Sequence, residues 1–365
     1  MTASLEQRLL RRIAAEGPLT IADFMAAALL DPQDGYYTRA APLGDEAGRG
    51  GDFVTAPELS QVFGELLGLW CLEAWQRLGS PKQFRLIELG PGRGTLMSDV
   101  LRSLALMPDC LAAASIHLVE VSPRLRAIQQ QVLGARAVAW HESLDALPAG
   151  PAIVLANEFF DALPLRQFER SPQGWHERLV VRSKEGLAFA LSGPLPDVLL
   201  PETAEVGAVY EMSPAATTIA AALARHLVQE GGVSLLIDYG YQRWPGMGSL
   251  QAVSGHRKVP LLDDPGKVDL SAQVDFAALA SAAQGNGAEV YGAVMQGEFL
   301  RALGLEERKK ALAEGQPPKV AARIDAACAR LVEPDAMGES FLVLALQSPD
   351  LASPPGFPER SRPIP

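Results

Sequence analysis

From residue 84 onward, apolar runs that suit β-strands alternate with runs that have helical spacing. Such alternation is typical of a mostly parallel sheet with helices on both faces. The strand-like runs are FRLIEL (84–89), SIHLVEV (115–121), RAVAWHE (136–142), AIVLANE (152–158), GVSLLIDY (232–239), EVYGAV (289–294) and FLVLAL (341–346). The sequence therefore predicts an α/β fold.

Three regions lie outside this alternation. Residues 1–80 have helical spacing and a Gly-rich stretch, APLGDEAGRGGDF, so they are predicted to form an N-terminal helical and lid region. Within residues 81–347, the segment at about 165–195 alternates polar and apolar residues between turn signals, which predicts an antiparallel meander inserted after the fourth strand. Residues 348–365 are rich in Pro and Ser and are predicted to be a disordered tail.

Composition excludes several classes of protein. The net charge of -11 disfavours nucleic acid or an anionic membrane as a partner, and no apolar run reaches the roughly 18–20 residues of a membrane span. The three cysteines form no CxxC pair and the five histidines no HxxxH pair, so neither a disulfide framework nor a protein-bound metal is expected. The N-terminus lacks the apolar core of a secretory signal, so secretion is not expected.

The turn after the first of these strands carries the main functional signal. Gly90, Gly92 and Gly94 alternate within LIELGPGRGTL, and Glu88 stands two residues before the first glycine. A Gly-rich turn from a strand to a helix places backbone N–H groups at the sheet edge where α/β proteins bind ligands. The dinucleotide pattern GxGxxG would need a glycine at position 95, which is Thr. Two other interpretations stay open: a tight strand–helix turn without a ligand, and an NAD-linked oxidoreductase, since Glu120 could serve either kind of ribose.

The GxGxG turn with its preceding acid resembles motif I of class I S-adenosylmethionine methyltransferases. Further motifs occur in one order, and together they resemble the MidA-like family, formerly classed as a domain of unknown function. They are GDFVTAPELSQVFGELLG (51–68), ELGPGRGTL (88–96), VEVSPRLR (119–126), ANEFFDALP (156–164), IDYGY (237–241) and VDLSAQVDF (268–276). The resemblance runs from about Leu5 to Leu346.

This resemblance implies a Rossmann-like class I methyltransferase with a seven-stranded, mostly parallel sheet and S-adenosyl-L-methionine as the cofactor. The residues expected to bind it are Glu88, Gly90, Pro91, Gly92, Gly94, Glu120, Val121, Leu144 and Asn157. Mitochondrial family members are matrix arginine methyltransferases that help assemble respiratory complex I. An arginine of the 49-kDa-type subunit of that complex, dimethylated symmetrically, is therefore the expected target, and a homodimer is possible. Because this chain has no clear organelle presequence, a bacterial cytoplasmic homologue is expected.

The segment NEFFDALP supplies candidate catalytic groups. A guanidinium stays protonated in proteins, so carboxylates that pair with two of its nitrogens would leave the third aligned with a methyl donor. Glu158 and Asp161 are the expected guanidinium clamps. The alternative is that Asp161 caps a turn and Glu158 is a solvated strand end.

Weaker signals surround these residues. Glu58 is expected to form a capping box with Thr55, and residues 50–53 could fold over the cofactor as a lid. Asp238 and Tyr239 could face a substrate channel, with burial of the Tyr239 ring as the alternative for that residue. Asp269 and Ser271 are expected to cap a helix that begins near Ala272. His256 and Tyr37 are further candidates to line the site.

Two alternatives to a protein arginine methyltransferase remain at this stage. A non-catalytic assembly chaperone could keep a methyl-donor fold for partner binding. A methyltransferase acting on a small molecule would carry the same glycine turn.

Overall fold

The computed structural model describes residues 3–39, 55–195, 200–349 and 351–358. Its helices are α1 (Leu5–Glu16), α2 (Ile21–Leu30), α3 (Tyr36–Arg39), α4 (Ala56–Leu59), α5 (Gln61–Arg77), α6 (Thr95–Leu104), α7 (Pro108–Ala113), α8 (Pro123–Leu133), α9 (Pro214–Glu230), α10 (Phe276–Gln284), α11 (Gln296–Ala302), α12 (Leu305–Ala313) and α13 (Pro318–Val332). Its strands are β1 (Leu19–Thr20), β2 (Phe84–Leu89), β3 (Ala114–Val119), β4 (Val138–His141), β5 (Ala152–Asn157), β6 (Arg166–Ser171), β7 (Gly174–Arg182), β8 (Leu187–Leu191), β9 (Val209–Met212), β10 (Gly232–Tyr241), β11 (Gln251–Ser254), β12 (Arg257–Val259), β13 (Asp269–Ser271), β14 (Val274–Asp275), β15 (Glu289–Met295) and β16 (Phe341–Gln347).

The main sheet has the strand order β15-β16-β10-β5-β2-β3-β4, and the two-residue strand β14 pairs with β10. Strands β10, β5, β2, β3 and β4 run parallel, while β16 lies antiparallel between β10 and β15. The seven predicted strand-like runs therefore all form strands of one sheet. Because the five parallel strands share a direction, their carboxyl ends meet at one edge, where the glycine turn lies.

Helices cover both faces of this sheet. Helices α5 and α6 and the C-terminal helices bury one face, and α9 and α10 bury the other. Because α5 carries fully buried residues such as Phe63 and Trp70 into the first of these cores, it belongs to the body of the main sheet. The domain boundary predicted at residue 80 therefore does not match the core.

A second sheet stands beside the first. It has the order β1-β7-β6-β9, with β8 on β7, and all its pairings are antiparallel. Its strands β6, β7 and β8 come from the segment predicted as a meander. Helices α1 and α2 pack on this sheet, and a separate apolar core joins them to β13 in a small three-stranded sheet.

Local capping predictions have mixed outcomes. Thr20, Ser122 and Ser213 each accept a backbone N–H at the start of α2, α8 and α9, as predicted. The prediction for Asp269 and Ser271 is wrong, because these residues form β13. The helix that follows begins at Phe276, and its N-cap is Asp275.

The predicted disorder of the tail is wrong for residues 351–358. The indole N–H of Trp70 donates to the carbonyl of Pro355 (3.2 Å), and Phe357 is buried against Phe299 with ring centroids 5.4 Å apart. The buried ring and hydrogen bonds to its backbone carbonyls therefore hold this segment against the main core. No helix in the described ranges has the length and apolar character needed to cross a membrane.

Candidate active site

A cavity of about 410 Å³ lies at the carboxyl edge of the main sheet. It is lined by the ends of β2, β3 and β5, by the turn after β4, by α4 and by the first turns of α9. Of the predicted site residues, Glu88, Gly90, Pro91, Gly92, Glu120, Val121, Leu144, Asn157 and Glu158 line it. Gly94 and Asp161 are absent from the lining.

The glycine turn owes its shape to backbone conformations that other residues adopt poorly. Gly90, Gly92 and Gly94 have φ values of 61°, 52° and 85°. A methyl group at Gly90 would come within 2.8 Å of Cδ2 of Phe159, so this glycine allows the turn and the end of β5 to approach closely. Gly94 instead begins α6 and faces Gln129, which explains its place outside the cavity.

Glu88 is the last but one residue of β2 and only 3% exposed. Burial removes its carboxyl group from water and raises its pKa to about 8. Its Oε2 atom is buried and has no hydrogen-bond partner among the described residues. A buried acceptor without a partner is costly, so the site is suited to a ligand that brings a donor to this atom.

Glu120 is held by two donors at the edge of the cavity. Its Oε1 accepts the N–H of Ser122 (2.8 Å) and its Oε2 accepts the side-chain amide of Gln129 (3.2 Å). The same amide donates to the carbonyl of Gly92 (2.8 Å), while the indole of Trp140 donates to Gln129 Oε1 (2.9 Å). Gln129 therefore fixes the glycine turn and the acid after β3 relative to each other. This role was not predictable from the sequence, because Gln129 belongs to no motif and lies on the buried side of α8.

Val121 and Leu144 form the apolar side of the cavity. Val121 is 47% exposed although it is a β-branched apolar residue, and its exposed surface faces this cavity. Leu144 begins a short 3-10 turn after β4. An apolar pair at this position provides surface for a flat ring.

Glu158 follows β5 in a strained conformation. Its φ is 49°, a left-handed value that costs a non-glycine residue about 1–2 kcal/mol. Its Oε1 accepts the N–H of Ala56 (2.8 Å) and the side-chain amide of Asn157 (3.0 Å). Burial raises the pKa of Glu158 to about 7, and these two donors oppose the shift. Such strain is typical of functional positions whose surroundings over-determine the backbone.

Asp238 holds the turn that carries Glu158. It is fully buried, and its Oδ2 accepts the N–H groups of Phe159 (3.1 Å), Phe160 (2.9 Å) and Asp161 (3.2 Å). Its Oδ1 accepts the N–H of Tyr239 (2.9 Å). Asp238 therefore does not face the main cavity as the sequence suggested; it is buried and positions the turn.

Asp161 does not line the main cavity but a smaller one of about 60 Å³. Burial and the nearby carboxyl groups of Asp238, Asp269 and Glu158 raise its pKa well above the ordinary range. Although Glu158 is near enough to raise the pKa of Asp161, the two residues line different cavities.

Glu58 makes a different contact from the predicted capping box. Thr55 is the N-cap of α4 but its side chain makes no capping hydrogen bond. Glu58 Oε1 instead accepts the hydroxyl of Thr95 (2.6 Å) at the start of α6, and both Glu58 and Thr55 line the cavity. The capping-box prediction is wrong because Thr95 supplies a donor from a distant part of the chain.

The remaining candidates divide between the cavity and other places. Tyr37 lines the cavity, and its hydroxyl donates to Asp269 (3.2 Å). Tyr239 and His256 do not line it, and His256 lies in the turn between β11 and β12. The lid predicted at residues 50–53 lies outside the described residues. No group of metal-ligating side chains occurs in the described ranges.

Comparisons with known proteins agree on one family. Residues 66–294 match the family described as S-adenosyl-L-methionine-dependent methyltransferase. The mitochondrial protein arginine methyltransferase NDUFAF7 of Danio rerio is 35% identical over 93% of this chain and 85% of its own length. The human protein of that name is 34% identical over 93% of this chain and 82% of its own length.

A solved structure shares the whole fold. A protein from Burkholderia thailandensis, crystallised with S-adenosyl-homocysteine, superposes with a TM-score of 0.84 and 28% sequence identity. The match covers 98% of this chain and 96% of the other. It confirms a class I methyltransferase fold for the architecture described above.

Proposed function

The chain belongs to the S-adenosyl-L-methionine-dependent methyltransferase family, and from the geometry of its cavity we propose that it transfers the methyl group to an arginine side chain of a protein. The proposal rests on the position and surroundings of Glu158. It is a strained carboxylate in the cofactor cavity, and the described residues supply it with neutral donors alone. The relatives named as arginine methyltransferases support the same acceptor.

The cavity residues fit the cofactor. Glu88 Oε2 is a buried acceptor without a partner and would take the amino group of the methionine part. The backbone of Gly90, Pro91 and Gly92 allows close approach, and Glu120 would accept the ribose hydroxyls. Val121 and Leu144 would contact the adenine ring. Gly94 would act indirectly, by starting α6 at the end of the turn.

The cofactor supplies an electrophilic methyl group on a sulfonium, whose sulfur leaves as a neutral thioether. The protein therefore needs to align the acceptor and control its charge. Glu158 Oε1 is fixed by Ala56 and Asn157, so Oε2 is left to pair with a guanidinium N–H. Asn157 Oδ1 is buried without a partner among the described residues and can accept a second N–H.

Glu158 can also take the proton that the guanidinium loses when its nitrogen gains a methyl group. A carboxyl group with a pKa of about 7 is a competent base near neutral pH. Because the pKa is raised, the ionised form predominates above pH 7 and is lost as the pH falls below it. We therefore expect kcat/KM to rise through about pH 7 to a plateau, as the free enzyme titrates.

Label transfer from the methyl donor tests the proposal. The purified protein is mixed with isotopically labelled S-adenosyl-L-methionine and a lysate of cells that lack it, and digested peptides are analysed by mass spectrometry. The 49-kDa-type subunit of complex I, the target that the family resemblance implies, is the first purified acceptor to add. Label on arginine side chains supports the proposal.

The variant Glu158→Gln and a matched control complete the design. Gln keeps an acceptor for the Ala56 N–H but has no charge, so transfer should fall on the order of 10- to 100-fold. Glu185→Gln changes the same charge at an exposed turn and should have no effect. Label on lysine or on a small metabolite would overturn the proposed acceptor, as would an undiminished rate for Glu158→Gln.

A further inference from the structure

Besides Glu88, Glu120 and Glu158, the side chain of Glu58 also lines the main cavity. Glu58 lies on α4, and its Oε1 accepts the hydroxyl of Thr95 (2.6 Å), the first residue of α6 after the glycine turn. Glu58 therefore has a fixed position beside the turn that would hold the cofactor. The sequence predicted that Glu58 would form a capping box with Thr55, but no side chain makes a capping hydrogen bond at the start of α4.

Glu58 and Glu158 are anchored in the same way. Each has its Oε1 atom held by neutral donors: the Thr95 hydroxyl for Glu58, and the Ala56 N–H with the Asn157 amide for Glu158. The Oε2 atom of each accepts no hydrogen bond from the described residues. Neither side chain belongs to an ion pair in those ranges, although both face the cavity.

Helix α4 contacts Glu158 and also carries Glu58, so it links the two carboxylates. Ala56, which donates to Glu158, stands two residues before Glu58 on the same turn of α4. Any movement of α4 would therefore shift both carboxylates together. This coupling is suited to a ligand that both groups hold at once.

An independent observation points to a ligand with many donors. Asn157 is 8% exposed, lines the cavity, and its Oδ1 has no partner among the described residues. The two free Oε2 atoms and this amide oxygen are three acceptors in one cavity. A guanidinium carries five N–H donors in one plane, whereas an ammonium is a compact point charge with three.

We propose that Glu58 is the second carboxylate of the guanidinium site and acts with Glu158, while Thr95 positions it. This inference rests on the proposed function, and it replaces Asp161 as the partner of Glu158. Two carboxylates on two nitrogens leave the third nitrogen for the methyl group. The pair would also favour arginine over lysine.

Two substitutions separate a substrate contact from a purely structural tie. Glu58→Gln keeps an oxygen that accepts the Thr95 hydroxyl but removes the charge. Thr95→Val removes the tie but keeps the charge. Each variant is compared with wild type and Glu185→Gln for S-adenosyl-homocysteine affinity by calorimetry, and for kcat and KM with the arginine peptide found by label transfer.

A binding measurement avoids dependence on turnover. With S-adenosyl-homocysteine bound, the dissociation constant of N-acetyl-arginine amide is measured beside that of its citrulline analogue, which has no charge. Wild type should prefer arginine, and Glu58→Gln should lose roughly 10- to 100-fold of that preference while its affinity for S-adenosyl-homocysteine changes less than about threefold. Thr95→Val should show a smaller loss, mainly in KM.

Each outcome decides between the proposals. If wild type methylates or binds arginine but Glu58→Gln behaves like wild type, Glu58 is no clamp and the inference fails alone. If Glu58→Gln and Thr95→Val both lose cofactor affinity and activity to the same extent, the Glu58–Thr95 hydrogen bond only holds α4 against α6. The inference is then overturned. If wild type neither methylates nor prefers arginine, the proposed function and the inference both fail.

Discussion

Replacement of Asp238 by Asn tests whether one buried carboxylate holds the active-site turn. Asp238 accepts four backbone N–H groups, three on Oδ2 and one on Oδ1. A carboxylate has acceptors on both atoms, whereas an amide has a donor on one of them. In Asp238→Asn, either the three N–H groups after Glu158 or the N–H of Tyr239 must therefore face an NH₂ group.

The expected loss follows from this mismatch. With the amide oxygen toward the turn, the N–H of Tyr239 loses its acceptor, which costs about 1–3 kcal/mol of the free energy of unfolding. The left-handed conformation of Glu158 depends on the same turn, so part of its strain would relax. We expect kcat to fall more than the affinity for S-adenosyl-homocysteine.

Urea unfolding followed by circular dichroism measures the stability, and the slope with urea should stay unchanged. Ser234→Ala is the matched control on the same strand. The Ser234 hydroxyl is buried without a partner among the described residues, so its removal should be neutral or slightly stabilising. An Asp238→Asn protein within about 0.5 kcal/mol of wild type, with normal kcat, would refute the reasoning.

Three further predictions follow from other parts of the structure. Gly90→Ala should weaken S-adenosyl-homocysteine binding at least about tenfold in calorimetry, because φ is positive there and the new methyl group would meet Phe159; unchanged affinity would contradict this close approach. Phe357→Ala should lower the free energy of unfolding by about 3 kcal/mol in urea, since a buried ring leaves the core; no change would mean that the tail is not packed. The buried His117 has a pKa lowered to about 4, so its stabilising effect should be complete above its unfolded pKa of about 6.5. Up to about 3 kcal/mol should be lost as the pH falls from 6.5 to 4, and His117→Asn should flatten that dependence.

The sequence was sufficient for the regular parts of the fold. Apolar runs bounded by turn signals marked all seven main strands, since both faces of a parallel sheet are buried and leave a continuous pattern. Ser122 and Ser213 marked helix starts because a cap depends on local residues alone. The positions of Glu88 and Glu120 followed from the rule that ligands bind at the carboxyl ends of parallel strands.

The sequence was insufficient wherever a contact joins distant parts of the chain. Glu58 meets Thr95, and Asp238 meets the turn after β5, and neither pairing has a local pattern. Gln129 has no distinguishing sequence pattern, and its role depends on hydrogen bonds with Trp140 and Gly92, which are distant in the chain. These long-range hydrogen bonds define the site more closely than any motif.

The pairing of β1 with β7 also sets an order for folding. Leu19 lies opposite Val180, so α1 and α2 have no surface for their apolar side chains until the inserted strands exist. During synthesis on the ribosome, strands β2 to β5 of the main sheet are therefore made before α1 and α2 can pack on the second sheet. An early chaperone contact with these helices would protect them during that interval, and slow translation before residue 180 would lengthen it.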